Sequence, residues 1–403
     1  MRILKFGGAT VATPDRIKQV ARRVATHVQT GERVIVVVSA MGNTTKTLLD
    51  LARQVSPSPQ RRELDMLLSV GERMTMSLMA MALNDLNIPA VSLTGSQAGI
   101  VTTEDHENAD ILEIKPLRIE QYLAEGKTVI IAGFQGVSQS RKEITTLGRG
   151  GSDLTAVALA AHFKCPCEIV KEIASIYQAD PKLFPRARPI KEIDYTTLEL
   201  MTQWGSQMLN SKAAALAKAK SVHLFFSSAT GDNEEGTRII RDKDKSDLTL
   251  SPHISHRRAL LKFTSQISEC HFEDLIKKVY EKKNISYPEI LWSSVSRSGI
   301  EGARSHSSSK IFWAIDHPDT AENHLLVLRD SELGSFLDRA VWMCFSLIQR
   351  NSLCEKKTDL EWPTNWHIQF LKVEEDFKQT LIFFPEDELG QAIQRIQDCL
   401  TLG

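Results

Sequence analysis

The chain has 403 residues, 42% hydrophobic and 25% charged, which is too long for one ordinary core and apolar enough for two or three domains. Its 49 basic and 50 acidic side chains leave a formal net charge of −1, so no bulk electrostatic pull toward nucleic acid or an anionic membrane is expected. No apolar run approaches a membrane span, and the longest, over 34–38 and extended by Ser39-Ala40-Met41, is strand-sized.

Residues 1–5 pass straight into a Gly-Gly turn without the apolar stretch of an export signal. The six cysteines are Cys165, Cys167, Cys270, Cys344, Cys354 and Cys399. Only Cys165-Pro166-Cys167 is a close pair, and no second pair or histidine cluster completes a zinc site. Both features predict a cytoplasmic protein with reduced thiols.

In chain order, residues 3–6 read as a short buried strand ending at Gly7-Gly8. Thr13-Pro14 then supplies an N-cap and a first-turn proline, and Ile17, Val20, Ala21 and Val24 recur at helical spacing. The β-branched run over 34–38 reads as a strand covered on both faces. Residues 64–86 read as one long helix whose Met66, Met74, Met76, Met79 and Met81 are core filler. Strands over 90–93 and 129–132, a helix over 153–162 and a strand over 168–173 follow. A helix over 212–219 and a strand over 222–226 close the series. This alternation predicts an α/β fold, a mainly parallel sheet with helices on both faces in an αβα sandwich.

A turn cluster over 231–236 and a charge run over 241–245 predict a boundary near residue 245, hence domains 1–245 and 246–403. The second domain reads as α+β. Strands are expected over 256–263, 290–296, 310–315, 366–373 and 379–384, with helices over 272–282 and from 385 or 386 to 400. A polar loop over 302–309 separates two of the strands, and two small strand–helix sandwiches in tandem fit the pattern.

Two glycine-rich loops carry candidate chemistry. Lys5-Phe6-Gly7-Gly8 lies where a strand feeds a helix, so its amides and the helix N-terminus favour an anion, with Lys5 adding a full charge. Gly148-Arg149-Gly150-Gly151-Ser152-Asp153 opens another helix, which Ser152 or Asp153 could equally serve as a simple cap. Neither loop follows GxxxxGK[ST], and the dinucleotide-binding and protein-kinase patterns are absent.

Together these segments resemble the successive motifs of the aspartokinases. The resemblance runs through Lys5-Phe6-Gly7-Gly8, Ser39-Ala40-Met41-Gly42-Asn43-Thr44-Thr45 and Ser69-Val70-Gly71-Glu72. It continues in the same order through Ser92-Leu93-Thr94-Gly95-Ser96-Gln97-Ala98-Gly99-Ile100, Ala132-Gly133-Phe134-Gln135-Gly136 and the stretch 145–153, and fades near 236–239. It implies the amino-acid kinase fold and transfer of the γ-phosphoryl of ATP, with Mg2+, to the side-chain carboxylate of L-aspartate. It implies that Lys5 and the Gly7 and Gly8 amides stabilise the transferring group, with Asp153 orienting Lys5. Arg149 is then the partner of a substrate carboxylate and Glu72 of its ammonium, with Thr45, Ser152, Gly150 and Gly151 completing the acceptor site.

The nucleotide side departs from the family pattern. Lys171, Glu172, Tyr177, Asp180, Lys182 and Gln207 occupy the positions expected to meet ATP. Here Lys171-Glu172 replaces a Thr-Asp pair, the nearby Ser175 replaces a turn glycine, and Gln207 replaces a phosphate-binding lysine for which Lys171 or Lys212 could substitute. Residues 379–392 resemble the last strand and helix of an ACT unit, which implies an ACT-like module and a homodimer formed through it, its effector turn not visible in sequence. The readings in order are an aspartate kinase serving lysine, threonine and methionine synthesis; a weak or inactive homologue that binds or regulates a partner; and a kinase for another carboxylate.

Overall fold

The computed structural model describes residues 1–173, 175–185, 187–203, 208–229, 236–241, 253–265, 277–278, 290–298, 308–315, 337–350, 363, 367–374, 377–385 and 388–401. It divides into two compact units. The first comprises Met1–Tyr177, Pro189–Thr202 and Gln207–Leu248, and the second Gln178–Arg188, Gln203–Ser206 and Thr249–Gly403.

The first unit begins with β1 (Arg2–Phe6), a single 3-10 turn (Gly8–Val11), α1 (Pro14–Gln29) and β2 (Val34–Val38). As expected, Thr13 caps α1, its hydroxyl accepting from the Arg16 amide at 3.3 Å, and Pro14 occupies the first turn. Next come α2 (Thr44–Val55), α3 (Arg61–Leu68), α4 (Val70–Asp85), β3 (Ala90–Leu93), β4 (Ile100–Thr102), β5 (Ile111–Ile114), α5 (Leu117–Ala124) and β6 (Thr128–Ala132). They are followed by β7 (Gln135–Ser138), β8 (Ile144–Thr146), α6 (Gly151–Phe163), β9 (Cys167–Lys171), β10 (Ile176–Tyr177), β11 (Pro189–Ile190) and β12 (Glu192–Asp194). The unit closes with α7 (Tyr195–Gln203), α8 (Ser211–Lys220), β13 (Leu224–Ser228) and β14 (Gly236–Ile240).

Eight strands form the central sheet in the order β12-β14-β13-β9-β1-β2-β6-β3. Every neighbouring pair is parallel except β13–β14. Alternation along β1 sends Leu4 and Phe6 to one face, where they join Ile17, Val20 and Val24 of α1 and Met76, Met79 and Leu83 of α4 in one buried cluster. Lys5 therefore faces the other side, toward α6, which is buried from Gly151 to Ala160. A smaller sheet, β5-β4-β7-β8, stands apart from the main one.

The helix expected over 64–86 is two helices that meet at Ser69, whose φ of −61° and ψ of −14° keep the backbone helical through the joint. By length and composition Arg61–Asp85 could cross a membrane, unlike the run lengths read in the sequence, but half of its apolar window is buried inside the fold.

The second unit holds a six-stranded antiparallel sheet, β16-β17-β15-β18-β20-β19. The strands are β15 (His253–Ser265), β16 (Ile290–Ser298), β17 (Ser308–Ile315), β18 (Leu337–Arg350), β19 (His367–Glu374) and β20 (Phe377–Pro385), and α9 (Leu389–Thr401) follows. β18, paired with both β15 and β20, has no counterpart among the expected strands. Of the helix expected over 272–282, Lys277 and Lys278 are described and helical. The loop expected over 302–309 lies outside the described residues up to 307, and Ser308 and Ser309 already belong to β17. Ala179 and Phe184 pack with Ile382, Phe384 and Ala392 in one apolar cluster of this unit.

Candidate active site

The chain ends of parallel strands gather at one edge of the central sheet, and the turns after β1, β2, β6 and β9 all open there. In such folds the crevice lies where successive connections leave in opposite directions, which here is β1, flanked by β2 and β9.

Lys5, at the end of β1, and Asp153, in the first turn of α6, form a buried ion pair of 2.6 Å, each side chain 6% exposed. Lys171, at the end of β9, approaches the other carboxylate oxygen of Asp153 at 3.7 Å. Burial pushes the Asp153 carboxyl up, but Lys5 and then Lys171 outweigh it and hold it below its ordinary range. Burial and the Lys5 charge together lower the Lys171 ammonium, with Asp153 opposing them. Two lysines around one carboxylate leave a net positive charge at the mouth of the sheet, suited to an anion that gains charge density during reaction.

The loop after β1 is strapped to the loop after β2. The Ser39 amide donates to the Phe6 carbonyl at 3.2 Å and the Gly42 amide to the Gly8 carbonyl at 3.0 Å. A Cβ on Gly8 would stand 2.7 Å from the Ala40 carbonyl oxygen, so this approach requires glycine. The Gly7 amide donates to the Val170 carbonyl at 3.3 Å and is spent on the sheet.

Glu72, in the first turn of α4, is 4% exposed. Its Oε1 accepts from the Ala40 amide at 3.0 Å, while Oε2 is buried with no partner among the described residues. Burial pushes its carboxyl up to about 7 even though the Ala40 amide and the nearby Lys5 charge favour the ionised form. A buried carboxylate oxygen without a donor is costly in a folded chain and marks a place where a ligand cation fits.

Thr45, half-buried, sits in the first turn of α2, and Ser152, buried, in the first turn of α6. Gly150 initiates α6 with a φ of 75°, a left-handed conformation that Gly tolerates at no steric cost. Arg149 is exposed, and its carbonyl accepts from the Asn210 side chain at 2.7 Å. Asn210 also caps α8 by accepting from the Ala213 amide at 3.1 Å, a double use that the sequence did not signal.

The residues expected on the nucleotide side fall in both units. Glu172 is exposed and pairs with Arg16 at 2.5 Å. Tyr177 lies opposite Pro189 in the β10–β11 ribbon. Asp180 and Lys182 belong to the segment counted with the second unit, where the Lys182 amide donates to Asp180 Oδ1 at 2.9 Å. Gln207 lies outside the described residues. Lys212 is engaged by Asp110 at 2.9 Å and Asn108 at 3.0 Å.

The sequence pattern of the amino acid kinase family matches residues 1–226, more than half of the chain, and the chain belongs to that family. Within the family its similarity is to aspartokinases. It is 44% identical to the aspartokinase of Mycolicibacterium smegmatis over 266 residues, 65% of this chain and 63% of that one. With the aspartokinase of Geobacillus stearothermophilus identity is 46% over 253 residues, 62% of this chain and 60% of that one. The chain thus spans about three fifths of the length of these curated relatives. The Escherichia coli aspartokinase III in complex with aspartate and ADP, 20% identical, shares the fold with a TM-score of 0.73 over 98% of both chains.

Proposed function

We propose that the chain is an aspartate kinase, transferring the γ-phosphoryl of ATP to the side-chain carboxylate of L-aspartate to give 4-phospho-L-aspartate. The observation that carries this reading is Glu72, a buried carboxylate with one oxygen left for a cation, within electrostatic reach of the Lys5–Asp153 pair. An α-amino acid brings an ammonium for Glu72 and a carboxylate for the Arg149 fork. The aspartokinase relatives, alike over about three fifths of this chain, support the choice of aspartate.

In this reading Lys5 neutralises charge on the transferring group, Asp153 holds Lys5 in place, and the Gly8 amide stands in the anion-binding turn. Ser152, Thr45 and the Gly150-Gly151 turn line the acceptor. No general base is required, because the attacking carboxylate is already ionised at neutral pH. Catalysis is then positioning and charge neutralisation. Lys171, Glu172, Tyr177, Asp180, Lys182 and Gln207 remain the proposed ATP side. Asp153 already shares its charge between two lysines, and no group of three metal-ligating side chains occurs among the described residues, so magnesium would enter with ATP and would supply charge neutralisation there. The same reading assigns the protein to the cytoplasm, where the free Cys165 and Cys167 stay reduced, and to lysine, threonine and methionine synthesis. Residues 246–403 are the proposed ACT-like module through which two copies pair.

A second reading, a weak or inactive homologue acting through a partner, draws on the lysines. Lys171 leans on Asp153 and Lys212 on Asp110, so neither stands apart as a phosphate lysine. Incubating the purified protein with ATP, magnesium and aspartate, with hydroxylamine as trap, separates the two. Aspartyl hydroxamate well above a Lys5→Ala control supports the kinase, and none above it overturns that reading.

A further inference from the structure

Lys171 departs from the aspartokinase pattern, in which its position holds threonine, while the phosphate-binding lysine of that pattern is Gln207 here. The chain has therefore lost one cation of the segment and gained another. The fold carries the gained one to the centre of the site. β9 lies beside β1 with Ile169 level with Lys5 and Val170 with Phe6, so Lys171 stands beside Gly7, where the glycine turn begins. Alternation puts Ile169 and Lys171 on the face of the sheet that Lys5 occupies, toward α6. The backbone is fixed on both sides of β9 at that level. The Val170 carbonyl accepts from the Gly7 amide at 3.3 Å and the Lys171 carbonyl from the Ala229 amide at 2.9 Å.

From these neighbouring strand ends the two ammoniums reach different oxygens of one carboxylate. Lys5 Nζ lies 2.6 Å from Asp153 Oδ1 and Lys171 Nζ 3.7 Å from Oδ2. One carboxylate cannot neutralise two ammoniums, so the three groups carry a surplus positive charge. Glu72 does not absorb it once the ammonium of an acceptor is in place. A loose phosphoryl-transfer transition state puts about one negative charge on the fragment in flight, which the surplus matches. Without either lysine the match is gone. The lowered Lys171 ammonium agrees with this. Burial and the Lys5 charge outweigh Asp153, and an anion between the lysines relieves both effects.

We propose that Lys171 is a second catalytic residue, which donates to an oxygen of the transferring γ-phosphoryl opposite Lys5 and supplies the charge that position 207 lacks. This rests on the kinase reading. The bond from the γ-phosphorus to its bridging oxygen breaks and the electron pair leaves with ADP, while a lone pair of the acceptor carboxylate forms the new bond. Neither lysine gives up its proton. Asp153 holds the two ammoniums together against their mutual repulsion and so serves both. Lys171 acts on the transition state more than on bound ATP, and its loss belongs in kcat.

The test uses the full chain with Lys171→Met, which keeps the stem and removes the charge, and Lys171→Arg, which keeps the charge. The hydroxamate assay gives kcat and both KM values, and unfolding midpoints are taken alongside. Calorimetry measures ADP with magnesium, with and without aluminium fluoride, a mimic of the transferring group. Lys171→Met is expected to lower kcat about a hundredfold, with KM for ATP and for aspartate within about threefold of wild type. The tightening of ADP by aluminium fluoride should fall about tenfold or more in Lys171→Met, ADP alone should bind as before, and Lys171→Arg should recover part of kcat. A Lys171→Met variant with kcat and fluoride response within about twofold of wild type overturns the proposal, as does a loss that appears wholly in KM for ATP. If Lys171→Met does not fold, Lys171→Thr, the residue of the family pattern, decides by the same criteria. A wild type that gives no hydroxamate but tightens on ADP through Lys171 overturns the choice of aspartate alone. A wild type that does neither overturns both.

Discussion

Replacing Glu72 by glutamine should make the ligand-free protein more stable at alkaline pH and nearly useless at holding its acceptor. The carboxyl is 4% exposed, has one amide donor, and is pushed by burial up to about 7. Because the folded state holds this proton more tightly than the unfolded chain, the associated stability is complete below the unfolded carboxyl's range. It is lost as pH rises through about 7. The shift converts to about 3 kcal/mol. Glutamine keeps the Ala40 bond and never ionises, though its amide inherits the empty position at a cost of about 1–2 kcal/mol that does not vary with pH. The stability difference between wild type and Glu72→Gln should therefore swing by about 2–3 kcal/mol in favour of the variant between pH 5 and pH 8.5. Urea unfolding across that range without ligand measures it. Saturating aspartate at pH 8.5 should shift the wild-type midpoint upward and leave the variant's in place. A stability difference that stays constant with pH would refute the burial argument. An aspartate response equal in both proteins would refute the assignment of Oε2 to the ammonium.

The other predictions concern the surrounding frame. Lys5→Ala leaves Asp153 buried with Lys171 as its remaining cation; a stability loss of about 3 kcal/mol and a fall in kcat of a thousandfold or more are expected by unfolding and hydroxamate assay. Gly8→Ala puts a methyl 2.7 Å from the Ala40 carbonyl oxygen and must part the two loops, so kcat should fall about tenfold or more with the unfolding midpoint lowered by only about 1–3 kcal/mol. Glu168→Ala removes a buried acceptor shared by Arg23 at 2.5 Å, Ser227 at 2.7 Å and Arg2 at 3.2 Å. It should cost about 3–5 kcal/mol in unfolding free energy while leaving KM for aspartate unchanged.

The first unit was legible wherever local pattern and burial agree. β2 is five consecutive β-branched residues buried on both faces, and α1 carries its own cap and first-turn proline. The joint at Ser69 was invisible because apolar spacing carries through it while the backbone stays helical. The small sheet was missed because β4 and β8 are three residues long and hold Thr102, Thr145 and Thr146, whose hydroxyls are satisfied by partners far along the chain. For the site, Lys5, Glu72 and Asp153 were readable as motif members, but their pairings depend on β1 and α6 meeting across the sheet. That the Gly7 amide serves Val170, and that Lys171 turns to Asp153, are consequences of β9 lying beside β1, a neighbour 160-odd residues away in sequence. In the C-terminal half, β18 runs fourteen residues without the turn residues or alternation that would have announced it.

The strip Gln178–Arg188, counted with the second unit while its flanks belong to the first, changes how this chain could be cut or recombined. A fragment ending near 245 would carry Ala179 and Phe184 away from Ile382, Phe384 and Ala392, stripping an apolar cluster of half its members on each side of the break. Such pieces would be sticky and prone to aggregate. The two units are woven by the polypeptide, not strung along it, so an exchange of C-terminal modules among relatives has to bring a matching strip with it or repair the one left behind.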